Sequence, residues 1–130
     1  MRYLKTILEY NTSDVLYHGT SFDNAKSIID NGITEDIYLG DMSTAETYAY
    51  SFNEPVLIQF DLNSVSNYLE PNFTLYNYYL DNIEEDEDYE DIIKDWENSN
   101  KNWEDSLEIF GSVILPVSNT HINLDDITYL

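Results

Sequence analysis

The chain has 130 residues, 26 of them Asp or Glu and five Lys or Arg, for a formal net charge of −21. A field of that sign excludes nucleic-acid recognition through phosphate contacts, which requires cations this chain does not have, and it attracts basic proteins instead. No cysteine is present, which excludes disulfides, thiolate metal sites and a cysteine nucleophile.

Apolar residues make up 42 % of the chain, enough for the core of one domain spanning 1–130. His18 and His121 are too few for a zinc site, and no D-x-D-x-D-G calcium loop occurs, so no metal is expected. Residues 1–10 alternate without a long apolar core, which argues against a signal peptide or a membrane span. The expected location is cytoplasmic, and the host cell cytoplasm if the chain is phage-encoded.

In chain order, strands are expected at 3–9 and 14–18. A helix follows over 22–30, with Phe22, Ala25, Ile28 and Ile29 at helical spacing and Gly32 at its C′ position. Strand 36–39, helix 44–52 and strand 56–62 come next. Residues 64–80 hold Tyr68, Phe73, Tyr76, Tyr78 and Tyr79, which packed core aromatics explain better than a recognition surface.

From Asp81 to Glu97 the chain reads DNIEEDEDYEDIIKDWE, with Lys94 as its single cation. Ile83, Tyr89, Ile92, Ile93 and Trp96 fall on one helical stripe, which predicts a helix docked on one side and acidic on the other. Such a face can imitate the phosphate row of a duplex, which carries a charge about every 1.7 Å. This acidic insertion is placed near 81–105. Strands at 107–110 and 112–117 and a final segment at 122–129 complete an α+β fold with a mainly antiparallel sheet and flanking helices.

Two segments share a strand-into-helix design. Tyr17-His18-Gly19-Thr20 precedes the helix that closes at Asn31-Gly32, and Ile37-Tyr38-Leu39-Gly40-Asp41-Met42 precedes Ser43 to Tyr48. A histidine beside a glycine at a strand end is more often structural than ligand-binding. The pair of segments, however, resembles the diphtheria-toxin-like ADP-ribosyltransferases, in the branch that contains the poly(ADP-ribose) polymerases. Residues 56–62 look like that family's central strand, and 112–130 its last strand and exit. The resemblance covers roughly 15–62 and 107–130 and leaves the middle unmatched.

The resemblance implies a split antiparallel sheet and NAD as cofactor. It implies that His18 bonds a ribose hydroxyl, that the Gly19 backbone meets the nicotinamide amide, and that Tyr38 and Tyr48 border the ring. Thr20 joins this cofactor-binding set. Ser43 either donates to the same amide or, with Glu46, forms an S-x-x-E capping box. Where family members carry a catalytic glutamate, this chain has Ser112. Glu108 is the nearest upstream carboxylate, on the same face of a regular strand but about 13 Å away. Gly111 is a candidate bulge between them.

The implied catalytic set is therefore His18, Tyr38, Ser112 and Glu108. The implied activity is NAD-dependent mono-ADP-ribosyl transfer to a protein; the net charge points to a basic target, and the acidic, cysteine-free composition suits a toxin or a phage anti-defence effector. The alternative is a catalytically inactive acidic inhibitor, a DNA mimic on the same scaffold that binds a basic nucleic-acid-binding protein. Neither reading calls for a membrane or for direct nucleic-acid binding.

Overall fold

A computed structural model describes residues 15–117 and 122–130. The strand expected at 3–9 and His121 lie outside the described residues. Among the described residues six strands form one sheet: β1 (Val15–Ser21), β2 (Ile37–Gly40), β3 (Pro55–Asp61), β4 (Glu70–Pro71), β5 (Ser112–Leu115) and β6 (Ile127–Tyr129). The order is β4-β5-β2-β1-β3-β6, with every neighbouring pair antiparallel. This is the α+β class with a mainly antiparallel sheet, as expected.

The sheet is not uniformly zipped. β1 registers with β3 along its whole length, from Val15 opposite Asp61 to Ser21 opposite Pro55. With β2 it registers at one pair, Tyr17 opposite Gly40. The ladder between these two central strands is therefore short, while each is fully registered with its other neighbour, β3 for β1 and β5 for β2.

Strand alternation sends Leu16, Val56, Ile58 and Phe60 to one face, where they join Ala25 and Ile33 in the main core. Helix α1 (Phe22–Asn31) packs there through Phe22, Ile28 and Ile29. On the opposite face Leu57 meets Ala45 and Ala49 of helix α2 (Met42–Ala49). Gly19 makes that contact possible, because a Cβ there would stand 1.9 Å from the Ala45 carbonyl oxygen.

Residues 62–81 resolve into a short helix α3 (Leu62–Val65), a 3-10 turn (Ser66–Tyr68), β4 and helix α4 (Phe73–Asp81). Helix α5 (Glu87–Glu97) begins later than the apolar stripe suggests, leaving Ile83 outside it. Its Ile93 and Trp96 are buried, while Glu87, Asp88, Glu90, Asp91 and Asp95 are exposed. The tyrosine-rich stretch is core only in part: half-buried Tyr76 lies against Trp96 and half-buried Tyr79 against Tyr89 and Phe110, whereas Tyr68, Phe73 and Tyr78 are exposed.

The expected strand at 107–110 is instead the end of helix α6 (Trp103–Phe110). Asn102 caps this helix by accepting the Asp105 N–H at 2.9 Å, and Leu107 and Phe110 are buried at helical spacing. Gly111 is not a bulge. Its φ of 75° is the left-handed conformation that closes a helix, and its N–H donates to the Leu107 carbonyl before the chain enters β5.

Candidate functional site

Two cavities lined by residues of both β1 and β2 adjoin and share Gly19, Tyr38 and Tyr48. The first, of about 350 Å³, lies toward α2 and is lined by Tyr17, Tyr38, Tyr48 and Phe110 with Thr44, Asn72, Thr74 and Ser112. No acidic or basic side chain lines it. The second, of about 230 Å³, lies toward α1 and the loop before β2, and is lined by His18, Thr20, Asn24, Glu35 and Asp36. Of the eight residues that the sequence singles out, His18, Gly19, Thr20, Tyr38, Tyr48 and Ser112 line one cavity or both.

His18 Nδ1 lies 2.7 Å from the Tyr38 carbonyl oxygen. A carbonyl only accepts, so Nδ1 carries the hydrogen. Burial lowers the pKa of this imidazole from its ordinary 6.5, and the bond to Tyr38 offsets part of that effect. The neutral ring then has a lone pair at Nε2, an acceptor suited to a hydroxyl donor. Thr20 is buried and its Oγ1 accepts from Asn24 Nδ2 at 3.1 Å, which fixes this wall of the second cavity.

Tyr38 is partly exposed, and its hydroxyl donates to Thr74 Oγ1 at 3.3 Å. Tyr48 is 54 % exposed and tilts against Phe52, with ring centroids 6.0 Å apart. Both rings thus stand at the shared mouth, presenting aromatic surface at little conformational cost.

Two expectations are corrected here. Ser43 does not cap α2: Asp41 takes the N-cap and accepts the Thr44 N–H at 2.8 Å, so the helix starts one residue before Ser43. Ser43 is exposed on the outer side, and its neighbour Thr44 lines the first cavity instead. Glu108 lies on helix α6 rather than on a strand, so the shared-face argument that linked it to Ser112 fails, and it lines neither cavity.

Ser112 belongs to a buried polar network that the sequence did not reveal. Asn72 Nδ2 donates to Ser112 Oγ at 3.1 Å, the Asn72 N–H donates to Ser106 Oγ at 2.9 Å, and Ser106 Oγ donates to the Ser112 carbonyl at 2.7 Å. Asn72 Oδ1 also accepts the Leu75 N–H, capping α4. The floor of the first cavity is therefore neutral and fully hydrogen-bonded. The one advance signal was an Asn directly before the aromatic run, the spacing of an N-cap.

Among the described residues, no group of three or more His, Cys, Asp or Glu side chains is placed to hold a metal. Among the same residues no helix is long and apolar enough to cross a membrane. No protein-family model, curated protein or solved structure matches the chain.

Proposed function

We propose that the adjoining cavities bind NAD across an ADP-ribosyltransferase-type split between β1 and β2, and that the chain transfers one ADP-ribose to a protein. The observation that carries this reading is the pairing of an uncharged, aromatic-walled cavity with a polar one holding the His18 acceptor, through the shared Gly19, Tyr38 and Tyr48. A volume of about 350 Å³ suits a flat ring with its amide.

Bound NAD would supply the bond between ribose C1′ and the nicotinamide nitrogen; its electron pair leaves with nicotinamide, and an acceptor atom bonds C1′ as it sheds its proton. In this reading Tyr38 and Tyr48 border the ring, Thr44 and Thr74 offer hydroxyls to the amide, and His18 Nε2 accepts from a ribose hydroxyl. Ser112, held by Asn72, is a neutral group where a carboxylate would stabilise developing positive charge. Loss of such an electrostatic partner costs on the order of a hundredfold in rate, so slow transfer is expected.

Calorimetric titration with NAD tests the pocket, and release of nicotinamide in the presence of protein acceptors tests the chemistry. Binding that is lost in Tyr48→Ala while the variant stays folded supports the reading. Silence up to millimolar NAD removes it.

A second reading is favoured by a separate observation. The exposed face of α5 presents Glu87, Asp88, Glu90, Asp91 and Asp95, with Lys94 already engaged by Glu90 at 3.5 Å. Such a face suits a non-catalytic inhibitor that occupies the cationic groove of a nucleic-acid-binding protein. Competition by duplex DNA for a basic partner, abolished by Asp91→Lys with Asp95→Lys, would support it; partner binding unchanged by those substitutions would remove it.

A further inference from the structure

Among the described residues, neither cavity offers a Lys or Arg to an anionic ligand. Among the described residues the basic side chains are Lys26, Lys94 and Lys101, and none of them lines either cavity. The first cavity has no charged side chain at all, and the second exposes the carboxylates of Glu35 and Asp36 on the same wall system as His18. Around both stands a chain of net charge −21.

NAD is electrically divided: its pyridinium ring is a cation and its pyrophosphate carries two negative charges. The exposed faces of Tyr38 and Tyr48 attract a cationic ring through their quadrupoles. The carboxylates and the overall field oppose the phosphates, and among the described residues no guanidinium or ammonium lines the cavities to compensate. We propose that the site draws its affinity from the cationic nicotinamide–riboside end and disfavours the pyrophosphate, so that a pyridinium nucleoside without phosphate binds it more tightly than NAD does. This rests on the nicotinamide-pocket reading above. ADP-ribose, which keeps the phosphates and lacks the pyridinium, binds such a site weakly.

The test is calorimetric titration of the full chain with nicotinamide riboside, NAD and ADP-ribose, at low salt and at about 150 mM salt. At low salt nicotinamide riboside is expected to bind about tenfold tighter than NAD, with ADP-ribose weakest, and the gap is expected to narrow as salt screens the field. The double variant Glu35→Gln, Asp36→Asn is expected to tighten NAD and weaken nicotinamide riboside. A merely structural effect of those exposed residues would move both ligands in the same direction. NAD binding tighter than nicotinamide riboside at low salt, or both ligands shifting together in the double variant, overturns the charge selection while leaving the pocket in place. Failure of all three ligands to bind overturns the pocket reading, and this inference with it.

Discussion

His18 Nδ1 donates to the Tyr38 carbonyl across 2.7 Å, one residue past the single registered pair of β1 and β2, Tyr17 opposite Gly40. A side chain thus adds a link between the two strands next to their one registered pair. The bond holds the two edges at a fixed separation and dictates which ring nitrogen carries the hydrogen. The histidine is therefore structural and available at once: one nitrogen ties the strands together, the other remains an acceptor.

The first prediction concerns pH. Burial holds the folded-state pKa of His18 below the ordinary 6.5. Between those two values the unfolded chain binds a proton that the folded chain does not, so this residue's contribution is fully present above pH 6.5 and is lost as pH falls through the folded value. Neutralisation of the many carboxylates acts on the same scan, so the comparison is with His18→Gln, which has an amide donor and no titration. The melting-temperature advantage of the wild type over this variant is expected to shrink as pH falls below 6.5. A difference that stays constant with pH would refute the assignment.

The second prediction is steric. In Gly19→Ala the new methyl would stand 1.9 Å from the Ala45 carbonyl oxygen and 3.0 Å from the Ala49 Cβ. Backbone cannot rotate away as a side chain would, so α2 must lift from β1, at a cost at or above the usual overpacking range of about 1–3 kcal/mol. Thermal unfolding is expected to show a drop of about 5–10 °C or more. An unchanged melting temperature would mean that α2 is not held against this strand.

The third prediction addresses the neutral floor of the first cavity. Ser112→Ala removes the acceptor of Asn72 Nδ2 and leaves a buried donor unsatisfied, at a cost of about 1–3 kcal/mol. Asn72→Ala removes both that donor and the α4 cap, at about 2–4 kcal/mol. Because the two share one bond, the double variant is expected to cost less than the sum by at least about 0.5 kcal/mol. Additive losses in denaturant unfolding would place the two side chains out of contact.

How far the sequence reaches is clear from these same residues. The modules at 15–31 and 37–49 are legible because each sets a short strand-like apolar run before a helical period, and α1 adds a local stop at Gly32. The segment at 107–110 misleads because Leu107 and Ile109 alternate like a strand over four residues. The helix shows only when the window extends to Trp103 and to the Asn102 cap. Ser43 misleads similarly, since Asp41 offers an equally good cap two residues earlier and the tertiary position of the strand end favours it. The network of Asn72, Ser106 and Ser112 is illegible for a different reason. Its bonds join residues 34 and 40 positions apart, and no local pattern encodes that proximity.

The last prediction separates two electrostatic effects on α5. Every exposed carboxylate feels the repulsion of a chain at −21, so removing any one relieves some of it. The helix dipole adds a term whose sign depends on position: Asp88 stands in the first turn, where partial positive charge favours it, and Asp95 stands in the last turn, where partial negative charge opposes it. Glu97 near the same end is held by the Tyr76 hydroxyl at 2.6 Å and by Lys101 at 3.3 Å, and so is a poorer probe. Asp95→Asn is therefore expected to raise the melting temperature by about 2 °C more than Asp88→Asn at low salt. The difference is expected to fade in about 1 M salt, where the screening length falls to about 3 Å, while the wild type itself becomes more stable. Equal shifts at low salt would show that general repulsion alone governs this face, and a reversed order would mean that α5 is not the helix described.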